Sequence, residues 1–136
     1  MYFVWLPLLL LLFSANVQSY EFPVEIFEYV NDEKVVAFIN ESDIDASTSW
    51  IPSDGAPPVT IANVVNAIQK YIAPDPKLSG ATFSEIELKQ IPHHEKHWHY
   101  LVKMKSRTGG HAHYHYFVVL MSGKIIPALK EPESFK

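Results

Sequence analysis

The chain has no cysteine. Disulfide staples, thiolate metal sites and thiol nucleophiles are therefore excluded, and the fold has to rest on its hydrophobic core. Glycine is scarce, at 5 in 136 residues. No G-x-S-x-G elbow, phosphate-binding P-loop or dinucleotide fingerprint can be written with them. Internal repeats and low-complexity tracts are absent too. Long apolar runs are missing: the first one ends at Phe13, short of the roughly 20 residues that span a bilayer. No charged side chain precedes Glu21, so the net charge of −4 belongs wholly to residues 21–136. An acidic balance argues against non-specific nucleic acid or an anionic membrane as partner.

The opening MYFVWLPLLLLLFSANVQSY has the shape of a secretory signal. Its short apolar stretch gives way to small and polar residues, and Val17-Gln18-Ser19 fits the small-x-small cleavage rule. No cysteine lies there to be acylated, which excludes a bacterial lipoprotein. The expectation is a signal peptide over 1–19 and a single exported domain over 20–136, periplasmic or secreted, with no transmembrane segment in the mature chain.

Within that domain, VEIFEYV, a four-residue NDEK turn and VVAFIN predict a β-hairpin over 22–39. Residues 41–58, rich in Ser, Asp and Pro, predict a surface loop. VTIANVVNAIQKYIA, residues 59–73, predicts the only mature helix. Ile61, Val64, Val65, Ile68, Tyr71 and Ile72 recur at helical spacing, and Pro74-Asp75-Pro76 stops the helix. Strands are predicted near 82–91, 97–106 and 111–121. A two-residue turn at Ser122-Gly123 leads to a last edge strand, KIIPAL. The order ββαββββ predicts an α+β domain, with one helix packed on an antiparallel sheet.

All seven histidines lie between His93 and His115. Their alternation in HWHYLVKMKSRTGGHAHYHY predicts a ribbon with one wet face and one dry face. A three-residue loop Thr108-Gly109-Gly110 pairs Arg107 with His111, Lys105 with His113, Lys103 with His115 and Leu101 with Phe117. Trp98, Tyr100, Val102 and Met104 then share a core face with Ala112, Tyr114, Tyr116, Val118 and Leu120. A two-residue Gly-Gly loop instead shifts the pairing by one and mixes His111, His113 and His115 with Trp98 and Tyr100. On the favoured register a loop at Pro92–Lys96 pairs Lys89 with His99, Glu87 with Leu101 and Glu85 with Lys103. Leu88 then lies beside Tyr100 and Ile86 beside Val102.

The histidines admit three functional readings. The bland one is a solvated sheet face of His, Lys, Arg and Glu. The second is metal binding, for which His93, His94, His97, His99, His111, His113 and His115 are the candidate ligands. Imidazole at i and i+2 on a strand suits Zn²⁺ or Cu²⁺. The His93-His94-Glu95-x-His97 cluster brings its own carboxylate, although it is not the H-E-x-x-H motif. Lys103, Lys105 and Arg107 facing the other histidines disfavour a cation. The third is acid–base catalysis by Glu85, Lys103 and His115 in one row, an arrangement similar to small secreted ribonucleases, although no sequence motif of those enzymes is present. Two weaker patterns have bland explanations. Asp43-x-Asp45-x-Ser47 with Asp54 faintly suggests a calcium loop, but Thr48 stands where glycine is needed. Asn40-Glu41-Ser42 is a glycosylation sequon, relevant only in a eukaryotic source.

From Ile61 onward the helix, SEIELKQIP, WHYLVKMKS and YFVVLMSGKIIPAL resemble the PepSY family of small exported domains, over about half the chain. An aromatic-led strand at Tyr100-Leu-Val and a turn at Gly123 carry that resemblance. The acidic residue such domains often place before the last turn is replaced by Leu120-Met121-Ser122. The resemblance implies a non-catalytic exported module of a kind often proposed to bind or inhibit peptidases. It supplies no site residues. The sequence thus predicts a small exported non-enzymatic binding module whose partner is another exported protein. Its working surface is the outer face of the C-terminal sheet, with exposed anchors such as Phe117 and Met121. Histidine-mediated Zn or Cu binding is the alternative. The clustered histidines also predict a loss of stability as pH falls through the imidazole range.

Overall fold

The computed structural model describes residues 22–30 and 32–130. The expected signal peptide and its cleavage site lie outside the described residues. Among these residues seven strands, two α-helices and a 3-10 turn run in the order β1 Val24–Val30, β2 Glu33–Ile39, α1 Glu41–Ala46, the 3-10 turn Pro52–Asp54, α2 Ile61–Ile72, β3 Thr82–Ile91, β4 His94–Thr108, β5 His111–Leu120, β6 Ile125–Pro127 and β7 Leu129–Lys130. The α+β class holds, with antiparallel pairing throughout. The single sheet does not. The strands form two sheets, β1-β2-β7 and β3-β4-β5-β6.

The last strand explains the division. Pro127 ends β6 on the edge of the four-stranded sheet, where its missing N–H costs no ladder bond. Ala128 still donates its N–H to the Tyr116 carbonyl at 2.8 Å. Leu129 and Lys130 then pair with Val36 and Val35 of the other sheet. One short segment therefore belongs to both sheets and ties them together.

Each face of the four-stranded sheet has its own core. On one side Val64, Ile68 and Ile72 of α2 cluster with Tyr100, Val102, Met104, Phe117, Val119 and Met121. The Tyr100 hydroxyl donates to the Val59 carbonyl at 2.7 Å and fixes the chain just before the helix. Thr60 caps that helix, its hydroxyl accepting from the Asn63 amide at 3.2 Å. On the other side Leu101, Val118 and Leu120 join Val24, Ile26, Ala37 and Ile39 of the β1–β2 hairpin. A strand buried on both faces reads as a continuous apolar run, and Phe117–Met121 is one.

Several local expectations are corrected. Residues 41–58 hold α1 and the 3-10 turn rather than a structureless loop. Asp43 accepts the Asn40 N–H at 2.9 Å, which closes the first turn of α1. The NDEK turn is shorter than four residues, because Glu33 already pairs with Val30. The loop after β3 is only Pro92-His93, with a register irregularity between Gln90 and Ile91. The turn after β5 spans Met121-Ser122-Gly123, since the amide of Leu120 donates to Lys124 across it. Gly123 takes the positive φ, 88°, that such a loop requires.

Candidate functional site

The histidine ribbon turns on Gly109-Gly110, not on a three-residue loop. Both glycines have positive φ, 60° and 81°, as a two-residue hairpin turn demands. Thr108 pairs with His111, Ser106 with His113, Met104 with His115 and Val102 with Phe117. The expected pairs Arg107–His111, Lys105–His113, Lys103–His115 and Leu101–Phe117 do not form. His111, His113 and His115 continue the row of Phe117 and Val119, on the face that meets α2. The β3–β4 register is as expected, with Lys89 opposite His99, Glu87 opposite Leu101 and Glu85 opposite Lys103.

The row Glu85, Lys103, His115 is therefore broken. Lys103 faces Tyr116 on β5, and His115, one residue earlier, points to the opposite side of the sheet. Lys103 instead sets its ammonium over the Tyr114 ring, 4.4 Å from the centroid. The Glu85 carboxyl is raised above the usual range, first by its hydrogen bond and repulsion with Glu87.

The remaining histidines separate into distinct settings. His93 occupies the β3–β4 turn at φ 66°. His94 and His97 stack edge to face, with ring centroids 6.2 Å apart. The His97 imidazole is lowered below its ordinary value by burial and by His94, against the opposing pull of Asp45. His99, expected on the wet face, is 1% exposed, because the β1–β2 hairpin covers that face. Among the described residues neither ring nitrogen of His99 has a hydrogen-bond partner, and burial with the nearby Lys89 lowers its pKa to about 4. His111 and His113 are exposed, and the half-buried His115 shares a 2.9 Å hydrogen bond between Nε2 and Ser106 Oγ. Among the described residues no group of three or more His, Cys, Asp or Glu side chains is arranged to hold a metal ion.

The anchors expected on the C-terminal sheet are inside. Phe117 and Met121 are each 2% exposed and belong to the α2 core. Beyond Tyr71 on α2, the exposed large aromatics among the described residues lie on the other sheet. Alternation along β1 sends Val24 and Ile26 inward, and Glu25, Phe27 and Tyr29 outward. Register places Phe38 beside Glu25, Val36 beside Phe27 and Lys34 beside Tyr29. Leu129 extends the Phe27–Val36 row on the far side. Phe27 is 49% exposed, Tyr29 67%, Phe38 41% and Leu129 59%. Phe27 and Tyr29 stack edge to face at 6.0 Å, and Lys34 sits 4.7 Å over the Phe27 ring. A sequence signal for this surface exists: VEIFEYV carries apolar residues in both alternating sets, so both faces of that strand are apolar. No helix among the described residues is long and apolar enough to cross a membrane.

Comparison of the chain with protein-family models, with curated proteins and with solved structures returns no match.

Proposed function

We propose that the chain is an exported, non-catalytic binding module that takes up an extended segment of another protein along β1. The observation that carries this reading is the row of exposed aromatics on the outer face of the β1-β2-β7 sheet. A patch of large apolar side chains ringed by charge is what protein interfaces use as anchors. Among the described residues β1 pairs only with β2, so its other side is an open edge for strand addition. The fitting partner presents apolar side chains at alternate positions to reach Phe27 and Tyr29. Basic side chains beside them would meet Glu25, and the net charge of −4 favours such a cationic segment.

Site-specific photo-crosslinking tests this reading. A photoreactive phenylalanine at position 38 is expected to give a discrete adduct in the cell that makes the protein. The same probe at Ile61, exposed on α2 at the opposite side of the fold, is expected to give none. Equal labelling from both positions, or no adduct at 38, overturns it.

A further inference from the structure

A second surface carries a different chemistry, independent of the aromatic face. Where β4 and β5 run past the end of α2, a cleft of about 590 Å³ opens. It is lined by Lys77, Ser106, Arg107, Thr108, His113 and His115, with Pro76 and Gly80 at its side. We infer that this cleft binds a tetrahedral oxyanion, a phosphate or sulfate group, free or as an ester.

Charge is the first argument. Among the described residues no carboxylate lines the cleft, in a protein that is acidic overall. Neither Lys77 nor Arg107 has an ion-pair partner among the described residues. The carboxylate that acts on His115 from nearby is Asp75, which is engaged by the Lys77 backbone N–H at 2.9 Å. His113 and His115 also border a neighbouring cleft of about 360 Å³. Its one carboxylate, Glu33, is ion-paired to Lys130 at 2.8 Å. Among the described residues, Lys77 and Arg107 thus stand without an ion-pair partner beside two imidazoles, of which His115 feels the Asp75 carboxylate from outside the lining.

Geometry is the second argument. The donors come from three separate segments: the turn after α2, the end of β4 and the start of β5. Ser106 and His115 are held together across β4 and β5 by their hydrogen bond. β3 begins at Thr82 opposite Lys105, so among the described residues no strand pairs with β4 on that side at Arg107, which lines the cleft from this edge. Donors converging from several directions match the oxygens of a tetrahedron better than the planar pair of a carboxylate. The volume exceeds that of a bare ion and lies in the range of small-molecule sites, typically about 300–1,000 Å³, leaving room for an ester's body.

The test is amide and imidazole shift mapping of the purified chain by NMR. Sodium phosphate and sodium sulfate are titrated separately at constant ionic strength against chloride. A saturable response centred on Ser106, Arg107, His113 and His115, from either anion, is the expected result. Lys77→Gln and Arg107→Gln, both surface changes, should each weaken binding by about tenfold. Lys70→Gln, exposed on α2 and not among the residues that line the cleft, should leave it unchanged. Overturning results are a non-saturable response, equal shifts from acetate, or affinities indifferent to Lys77→Gln and Arg107→Gln.

Discussion

The ammonium of Lys124 closes on the carboxylate of Asp43 across 81 residues of sequence. It joins the residue that follows the β5 turn to the first turn of α1. The Asp43 side chain is buried and that of Lys124 about half exposed. Burial pushes the Asp43 carboxyl up, but the Lys124 hydrogen bond, the Asn40 N–H and the Lys124 charge together hold it below its ordinary value. A depressed carboxyl stabilises the fold above its unfolded pKa, and that contribution is lost as pH falls through the lower, folded value. Asp43→Ala removes both the helix cap and the ion pair, and should cost about 2–4 kcal/mol in denaturant unfolding at pH 7. Lys124→Met leaves a buried carboxylate unpaired and should cost about 1–3 kcal/mol.

His99 should make the fold acid-sensitive. It lies between Lys89 and Leu120 in the sheet, under the β1–β2 hairpin, its imidazole without a hydrogen-bond partner among the described residues. Its folded pKa of about 4 lies below the ordinary imidazole value of 6.5. The unfolded chain then binds more protons between those values, so stability is full above pH 6.5 and falls toward pH 4. At pH 5 the loss from this one residue is roughly 2 kcal/mol. His99→Leu should be within about 1 kcal/mol of wild type at pH 7.5. It should also abolish that share of the acid loss in paired urea titrations at pH 7.5 and 5. An undiminished acid loss in the variant would place the sensitivity elsewhere.

Helix α2 offers an internal contrast. Ile68 is fully buried in the core shared with Val102 and Phe117, whereas Ile61 is exposed on the first turn. Ile68→Ala should cost about 2–5 kcal/mol. Ile61→Ala should change stability by less than about 0.5 kcal/mol. Thermal or denaturant unfolding of the two variants separates them directly.

The Gly109-Gly110 turn fixes the register of the histidine ribbon. Alanine at either position must adopt a left-handed conformation, costing about 1–2 kcal/mol, while asparagine should be tolerated better. Unfolding of Gly110→Ala beside Gly110→Asn measures the difference.

The same turn shows how far the sequence is legible. Strand locations, the helix and its proline stop, and the β3–β4 register emerge from alternation and helical spacing. The expected β4–β5 register rests on assuming that every charged or imidazole side chain shares one wet face. That assumption fails because both faces of the sheet are covered: Leu101, Val118 and Leu120 pack on the hairpin while Val102, Phe117 and Val119 pack on α2. The continuous Phe117–Met121 run is itself the signal of a strand buried on both sides. The imidazoles of His111, His113 and His115 lie on the part of β5 that precedes this doubly buried run. The cleft residue Lys77 lies outside the histidine pattern and is brought in only by the turn after α2. Helix α1 is hidden because Ser and Asp are common in loops, and its Asp43–Lys124 anchor is too distant in sequence to be read locally.

The most direct test of the binding-module account is the affinity of the purified chain for the protein captured through position 38. A Phe27→Ser/Tyr29→Ser/Phe38→Ser variant should bind that protein at least about a hundredfold more weakly, because aromatic anchors at a contact each carry about 2 kcal/mol or more. Ile61→Ser should bind it unchanged. Undiminished binding by the triple variant, or an equal loss in Ile61→Ser, would contradict the assignment of the β1-β2-β7 outer face as the working surface.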